Sequence, residues 1–302
     1  MRLRVGAMAL VCGLMAAFSP LPVDAGQEAE SLEQYLARIG DWRERRDRRL
    51  RSDDGWMTLV GLEWLNEGEN RIGSAPTSDA RIPGGPADWG TIRLTGDRLV
   101  FYPAADADVT VDGQIVEQVE LVADNQGRPN VVRSGDLSFY VIYRQSYALR
   151  IKDRKAPTLM AYEGMPVYDI DPGWRFEGRF ERAAPGTTVD VADVLGHTNA
   201  SPVYGTFEFE RDGKTYRLTG LGTEESKSIE FMFADRTSGR ETYGAGRFVY
   251  SEGMPEEGRL VVDFNKAYNP PCAFTAYSTC PLPLPENRLD LWVRAGEKKY
   301  HD

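Results

Sequence analysis

Apolar residues recur at helical spacing near the start of the chain. Each of these five residues has another of them three or four positions away: Leu32, Tyr35, Leu36, Ile39 and Trp42. Such steps place side chains on one face of an α-helix. Ser31, with Gln34 three positions later, forms a capping-box pattern that marks the start of the helix. The sequence therefore predicts a helix that runs to about Arg49.

From Gly55 onward, short runs of β-branched and aromatic residues alternate with turns, which is typical of a sandwich or barrel. In the first part the predicted strands are Met57–Leu65, Thr91–Leu94, Leu99–Tyr102, Val109–Val111, Val119–Val122, Leu137–Tyr143 and Tyr147–Ile151. In the second part they are Arg175–Phe180, Val203–Phe209, Lys214–Leu218, Ile229–Phe233, Gly246–Tyr250, Leu260–Asp263 and Leu289–Val293. Asp112-Gly113 and Asp212-Gly213 predict tight hairpin turns, because both central positions favour positive φ.

These patterns predict a mainly β protein with two β domains. Prolines at positions 157, 166 and 172 indicate an extended connection between the two halves. The predicted organisation is a signal peptide (1–25), an N-terminal helix (26–54), a β-sandwich (55–155), the connection (156–173) and a C-terminal β-barrel or sandwich domain (174–302).

The first 25 residues have the pattern of an export signal. Arg2 and Arg4 precede an almost wholly apolar run from Val5 to Phe18, and Val23-Asp24-Ala25 offers small residues for cleavage after Ala25. The apolar run is shorter than a membrane-spanning helix requires. We therefore expect export to the periplasm or the extracellular space, with no transmembrane segment after cleavage.

Charge and metal-ligand content exclude several classes of function. The net charge of −10 would repel a phosphate backbone, so we expect no nucleic-acid partner. The two histidines are His197, which we expect in a turn, and His301 at the C-terminus, so we expect neither a metal site nor a serine triad. No cofactor is expected. The arginine-rich segment from Arg43 to Arg51 is either a patch for an anionic partner or, as we favour, a solvated helix face with local ion pairs.

The loop between Asp263 and Leu289 holds five prolines within residues 270–285, which exclude an α-helix and an interior strand. Cys12 would leave with the signal, and Cys272 and Cys280 would remain in an oxidising compartment. We expect them to form a disulfide that stiffens the loop and contributes about 2.6 kcal/mol.

This loop gathers the residues that we expect to bind a small or extended ligand: Asp263, Asn265, Tyr268, Asn269, Glu286, Asn287 and Arg288, with Arg247 nearby. A structural role is an equal alternative, because such asparagines hold turns and Asp263 could pair with Arg288. A second alternative is a hydrolase that uses Asp263 and Glu286 as an acid and base pair. A third is a scaffolding protein of the envelope. Catalytic residues cannot be assigned from these patterns.

Two groups of motifs resemble known families. The first group is Arg71-Ile72-Gly73-Ser74, Ser78-Asp79-Ala80-Arg81-Ile82-Pro83, Val111-Asp112-Gly113 and Ser134-Gly135-Asp136-Leu137. It resembles forkhead-associated (FHA) β-sandwich domains, which implies an FHA-like fold for residues 55–155. FHA domains bind phosphothreonine through an arginine at the position of Ser74, so the resemblance implies the fold and not the ligand.

The second group resembles the DUF1684 family, a domain of unknown function. Its motifs are the Asp263–Phe274 and Cys280–Leu289 segments, Gly55-Trp56-Met57-Thr58-Leu59-Val60-Gly61-Leu62-Glu63-Trp64-Leu65 and Gly239-Arg240-Glu241-Thr242-Tyr243-Gly244-Ala245-Gly246-Arg247-Phe248. The resemblance implies family membership and no particular activity.

Overall fold

The computed structural model describes residues 30–300. The predicted signal peptide and His301 lie outside these residues. The helices are α1 (Leu32–Leu50) and α2 (Pro157–Met160). The strands of the first half are β1 (Leu59–Trp64), β2 (Gly68–Gly73), β3 (Ala80–Arg81), β4 (Gly90–Thr95), β5 (Arg98–Pro103), β6 (Thr110–Val111), β7 (Val119–Leu121), β8 (Val132–Ser134), β9 (Leu137–Tyr143) and β10 (Tyr147–Asp153). Those of the second half are β11 (Arg175–Arg182), β12 (Thr188–Ala192), β13 (Thr198–Arg211), β14 (Lys214–Leu221), β15 (Glu230–Phe233), β16 (Arg247–Tyr250) and β17 (Arg259–Asp263).

Helix α1 begins at the predicted capping box. The Ser31 hydroxyl accepts a hydrogen bond from the backbone N–H of Gln34, and the Gln34 side chain accepts one from the backbone of Ser31. Tyr35 and Ile39 are buried, whereas Leu32 is 62% exposed. The helix face that packs inward is therefore narrower than the apolar spacing predicts.

Two five-stranded sheets pack face to face in the first half. Their orders are β1-β10-β9-β8-β6 and β3-β2-β4-β5-β7. Buried residues of both sheets, among them Ile92, Phe101, Phe139 and Leu149, form one core. Alternation of buried and exposed positions, clear in β4, turns one face of each strand toward this core. The prediction of a β-sandwich is confirmed.

The second half forms a curled antiparallel sheet in the order β16-β15-β14-β13-β11-β17, with β12 added along β13. A bridge between Ser251 and Val262 joins its two edges, so the sheet curls toward a barrel. Asp212 and Gly213 have φ values of 51° and 72° and connect β13 to β14, as the hairpin prediction requires. Phe207, Phe231 and Phe264 belong to the buried core of this sheet.

The prediction of a strand over Leu289–Val293 is wrong. This segment runs past the sheet without a strand ladder, and the nearest pairing is one parallel bridge between Ala234 and Arg288. The backbone carbonyl of Val293 instead accepts a hydrogen bond from the Arg247 side chain. Alternating apolar residues bury one side of the segment, but its backbone bonds only to single groups: the Leu291 carbonyl accepts from the backbone N–H of Arg236, and the Val293 carbonyl accepts from Arg247.

Arg247 anchors this C-terminal segment. Its guanidinium is fully buried beside the carboxylate of Asp235, at 3.3 Å. It donates to the backbone carbonyls of Val293 at 2.8 Å, Ala295 at 2.5 Å and Glu297 at 3.2 Å. The carboxylate of Asp235 also accepts from the backbone N–H of Val293 at 2.8 Å. One buried ion pair therefore satisfies the backbone of a segment that has no strand partner.

Helix α1 packs on the C-terminal sheet, although the sandwich follows it in the chain. Glu252 lies at the centre of this contact and binds Arg38 of the helix as well as Arg175 and Lys266 of the sheet domain. Burial raises the pKa of Glu252, but these three cations outweigh it and lower that pKa to about 2. The ion network therefore holds the N-terminal half of α1 against the sheet.

The first prediction concerns Arg247. Replacing it by methionine leaves the buried carboxylate of Asp235 without its cation and removes the donors to three carbonyls, so we expect a loss of about 3–5 kcal/mol in the free energy of unfolding. Denaturant titration measures this loss. Arg259→Met is the control, because Arg259 pairs with Glu177 on the surface and should cost less than about 1 kcal/mol. Equal losses for the two variants would contradict the anchoring role of Arg247.

The second prediction concerns pH. The folded-state pKa of Glu252 lies below its ordinary value of 4.5, so its contribution is complete above that pH and disappears as the pH falls toward 2. Glu252→Gln should therefore lower the free energy of unfolding by about 2–3 kcal/mol at pH 7 and by much less near pH 2. Denaturant titrations across this pH range test it, with the exposed Glu256→Gln as control. A difference between Glu252→Gln and the wild type that does not change with pH would refute the role of this carboxylate.

Candidate functional site

The first polar residues of the Pro-rich loop hold the helix in place. Asp263 and Asn265 are fully buried. The Asp263 carboxylate accepts from the Tyr35 hydroxyl at 2.9 Å and from both nitrogens of Asn265 at 3.0 Å. The Asn265 side chain also bonds both backbone groups of Asp171, at 2.8 and 3.0 Å. The hydrogen bonds of Asp263 and Asn265 therefore connect α1, the inter-domain connection and β17.

The side chains of two other asparagines also form hydrogen bonds with backbone groups. The Asn287 side chain bonds both backbone groups of Thr219 and the carbonyl of Met232. Asn269 donates from its backbone to Glu297 at 2.6 Å and from its side chain to the carbonyl of Lys298 at 2.7 Å. The loop therefore uses these side chains to join strands β14 and β15 and the C-terminal segment.

Glu286 and Arg288 lie apart from this buried group. Both side chains are exposed, and neither forms a hydrogen bond or an ion pair with any residue between 30 and 300. The Asp263 carboxylate is instead bonded to Tyr35 and Asn265 beneath α1. The structure thus forms neither an ion pair between Asp263 and Arg288 nor a contact between Asp263 and Glu286.

Cys272 and Cys280 are adjacent thiols in this structure, without a disulfide. The backbone N–H of Cys272 donates to Sγ of Cys280 at 3.1 Å, and the Tyr243 hydroxyl donates to the carbonyl of Cys272 at 3.1 Å. The hydrogen bond with Cys280 lowers the pKa of the Cys272 thiol to about 7, while the same contact and burial raise that of Cys280. Cys272 therefore has the more acidic, more nucleophilic sulfur of the two.

A pocket of about 530 Å³, called here the α1 pocket, lies between the C-terminal half of α1, the turn that follows it and the edge of the C-terminal sheet. Its aromatic walls are Trp42, Trp56, Phe248, Tyr250 and Tyr268. Its charged groups are Arg46, Arg49, Asp54 and Glu230, and Ser52 and Pro271 complete the rim. Its volume is within the range of small-molecule sites in proteins.

Three regular elements position these side chains. Trp42, Arg46 and Arg49 occur at steps of four and three along α1, so they share one face of the helix. Phe248 and Tyr250 are two apart on β16, which directs them to the same side of the sheet. An antiparallel bridge between Phe248 and Tyr268 fixes the loop residue beside them.

The aromatic rings form a nearly continuous surface around Tyr268. The rings of Tyr250 and Tyr268 are almost parallel, at an interplanar angle of 16° with centroids 6.2 Å apart. Phe248 meets Tyr268 edge-on at 5.8 Å, and Trp42 is tilted against it at 6.5 Å. Tyr250 remains 43% exposed, so part of this surface is open to solvent.

The Arg46 side chain is a fixed wall of the pocket. It donates from Nε to Glu297 at 3.0 Å and from Nη2 to the carbonyl of Asn269 at 2.9 Å. Its guanidinium lies 4.7 Å above the ring centre of Tyr268, within the range of a cation–π contact. Arg49, by contrast, is exposed at the rim, and its guanidinium has no hydrogen bond or ion pair within the described part of the chain.

Glu230 brings a carboxylate to the pocket. It accepts a hydrogen bond from the Tyr250 hydroxyl at 2.9 Å, and the hydroxyls of Tyr250 and Tyr268 also interact. Burial raises the pKa of Glu230, and burial together with Glu230 raises the pKa of Tyr250 to about 12. The two phenols therefore stay protonated and act as hydrogen-bond donors at neutral pH.

A smaller pocket of about 230 Å³ lies on the other side of Trp42 and Arg46, and Asn265 is part of its lining. The Arg43 side chain borders it, with Nε and Nη2 buried and without a hydrogen-bond partner among the described residues. Burial lowers the pKa of Arg43. The negative charges of Asp169, Asp263 and Glu297 oppose this effect and favour the charged form of Arg43.

Of the residues proposed from the sequence, the structure brings Tyr268 to the α1 pocket and Asn265 to the smaller one. Arg247 is fully buried beneath the C-terminal segment. The sequence patterns do not indicate Trp42, Glu230 or Tyr250 as site residues, and they include Arg46 and Arg49 only within the arginine-rich segment from Arg43 to Arg51. The spacing of the three α1 residues is a signal for a shared face, but the many other arginines of that helix obscured it. Residues 30–300 contain no group of three metal-ligating side chains.

His197 lies outside both pockets. Its Nδ1 is 3.4 Å from the carboxylate of Asp193, and its ring meets Trp64 of the sandwich edge-on at 6.2 Å. The residue therefore contributes to the contact between the two β domains.

Part of the chain is similar to a known family and to solved structures. An NMR structure of an uncharacterized protein of Haloarcula marismortui is 29% identical, covers 45% of this chain and 77% of that chain, and has a TM-score of 0.39. A chain in the crystal structure of the FhaA FHA domain complexed with the intracellular domain of Rv3910 is 19% identical, with coverages of 30% and 97% and a TM-score of 0.21. No curated protein matches. The family model of DUF1684, described as a protein of unknown function, matches residues 160–298.

Proposed function

We propose that the protein is an exported ligand-binding module whose ligand occupies the α1 pocket. The observation that carries this proposal is the pocket itself. Five aromatic side chains line it, together with the guanidinium of Arg49 and the carboxylate of Glu230. The aromatic residues come from α1, the following turn, β16 and the loop after β17. A concave site with apolar walls and a few convergent polar groups is what small-ligand recognition requires.

The pocket is also preorganised. Arg46 is fixed by Glu297 and by the backbone of Asn269, and Tyr268 is fixed between Phe248, Tyr250 and Trp42. Side chains that are already held by neighbours lose little rotamer freedom when a ligand binds. This rigidity favours binding over a purely structural role for the pocket walls.

Export is supported by the signal pattern of residues 1–25. No helix within residues 30–300 is both long and apolar enough to cross a membrane. In an oxidising compartment, Cys272 and Cys280 would join in a disulfide, because the two residues are adjacent and the Cys272 thiol is acidic. The bond would stiffen the loop next to Pro271, which lines the α1 pocket.

The hydrolase and the scaffolding protein have less support. A hydrolase that uses Asp263 and Glu286 needs both carboxylates at one cleft. Asp263 is instead bonded to Tyr35 under the helix, and Glu286 is exposed on a separate turn. A scaffold that uses the arginine-rich face of α1 would have only part of that face, because Arg46 is directed inward.

Native mass spectrometry of the protein purified from an exporting host tests the proposed ligand binding. We expect the wild type to carry an adduct that leaves on denaturation, and Tyr250→Ala to lose it, because the substitution removes an open part of the aromatic wall. Tyr277→Ala is the matched control, since Tyr277 is 42% exposed and lies outside the pocket lining. A bare wild-type chain, or an adduct retained equally by both variants, would count against the α1 pocket as the binding site.

The disulfide is tested on the same exported material. The denatured, unreduced chain should weigh two hydrogen masses less than the reduced chain and should resist alkylation. The Cys272→Ser/Cys280→Ser double variant should lose about 2.6 kcal/mol in the free energy of unfolding relative to the oxidised wild type. Reduced wild type serves as the control and should match the variant. Complete alkylation of unreduced wild type would exclude the disulfide.

A further inference from the structure

The α1 pocket is poorly suited to a cationic ligand. An aromatic cage binds a quaternary ammonium by placing the cation over the ring faces. In this protein the guanidinium of Arg46 already lies over Tyr268, 4.7 Å from the ring centre, and Arg49 adds a second positive charge at the rim. A ligand cation would meet both charges.

The same pocket offers a group that only donates hydrogen bonds, the Arg49 guanidinium, and two carboxylates, those of Glu230 and Asp54, that only accept them when ionised. The Arg49 guanidinium carries five N–H donors and no acceptor, and an ionised carboxylate such as that of Glu230 carries acceptors alone. Glu230 uses one oxygen for the Tyr250 hydroxyl, and the other has no donor among residues 30–300. An anionic ligand would satisfy Arg49 but be repelled by Glu230. A hydroxyl group both donates and accepts, so a ligand with several hydroxyls satisfies both residues.

The open aromatic surface specifies the rest of the ligand. The Tyr250 ring, which is nearly parallel to that of Tyr268, is 43% exposed and is the accessible part of the aromatic wall, and Trp56 also lines the pocket. A pyranose ring has a face of C–H bonds, which buries apolar surface against such an aromatic ring and meets the negative face of its π-system with a weakly positive edge. A purely apolar ring would stack equally well but would leave the second oxygen of the half-buried Glu230 carboxylate without a donor, which is unfavourable.

We infer that the α1 pocket binds a neutral saccharide, with one sugar ring stacked on Tyr250 and its hydroxyls shared between Glu230 and Arg49. This inference rests on the ligand-binding function proposed above and names the class of ligand. The Glu230 carboxylate accepts from one hydroxyl, and the Arg49 guanidinium donates to another. Arg46 serves as a fixed wall, because its hydrogen bonds to Glu297 and Asn269 are already made.

An oligosaccharide array tests this directly. The neutral probes are cellulose, chitin and dextran oligosaccharides, and the acidic probes are oligosaccharides of polygalacturonate and alginate. We expect the mature protein to bind at least one neutral probe, with little change between low and high salt because no net charge is neutralised. Titration calorimetry with the bound oligosaccharide then gives the affinity.

Three variants distinguish binding at the α1 pocket from non-specific binding. Glu230→Leu and Arg49→Met should each weaken binding by about tenfold or more, since each removes one hydrogen bond to a charged group. Arg48→Met should bind like the wild type, because Arg48 pairs with Glu44 on the solvent side and does not line the pocket. Arg49 is exposed, so its variant tests the site without disturbing the core.

The outcomes also separate this inference from the proposed function. Binding confined to acidic probes, or no binding to any neutral probe, would overturn the saccharide inference, and an adduct lost on Tyr250→Ala would then still support the α1 pocket as a binding site. Equal affinities of the Arg49→Met and Arg48→Met variants for the neutral probe would overturn the assigned geometry. The absence of both an adduct and saccharide binding would overturn the proposed function itself.

Discussion

The candidate site depends on the hydrogen bonds that the buried guanidinium of Arg247 donates to the C-terminal segment. By donating to the carbonyls of Val293, Ala295 and Glu297, it fixes a segment that no strand supports. Glu297, held in this way, accepts from Arg46 of α1 and from the backbone of Asn269. Helix α1 is thereby placed against the sheet edge, and the α1 pocket is the space left between them.

A buried ion pair is not by itself strong evidence for stability, because the cost of desolvation can match the attraction between the charges. In this protein the ion pair fixes the geometry of the C-terminal segment. The guanidinium has several donors in a rigid plane, and it satisfies three carbonyls along one extended segment. An apolar residue in place of Arg247 could fill the volume but could not fix the direction of that segment. Arg247 therefore supports the site without being part of its lining.

Most of the fold could be predicted from the sequence, because local patterns specify it. The capping box at Ser31 and the turn at Asp212-Gly213 act through their own backbone groups, and the structure has both. The strand prediction failed at Leu289–Val293, where the alternation of apolar residues is real but the Val293 carbonyl bonds to the side chain of Arg247. Alternation reports which side chains are buried. It does not report which group satisfies the backbone, and for the Val293 carbonyl that group is 46 positions away in sequence.

The candidate site could be predicted only in part, for a related reason. The polar loop after β17 contains the residue types of a binding site. The side chains of Asp263, Asn265 and Asn287, however, form their hydrogen bonds with other groups of the protein. The pocket arises instead where α1, which precedes the sandwich, returns to the C-terminal sheet, and Tyr268 is the loop residue that reaches it. Its walls therefore come from segments about 200 residues apart, and no pattern within one segment reveals their meeting.

That arrangement also explains why the arginine-rich helix was difficult to interpret. Ion pairs such as Arg48 with Glu44 follow the spacing of a solvated face, and they do lie on the surface. Arg46 has the same local environment in sequence but pairs with Glu297 across the domain. The two kinds of arginine differ only in what the fold places opposite them. A helix that carries both can bind the sheet through one face and leave Arg49, at the boundary between the faces, available to a ligand.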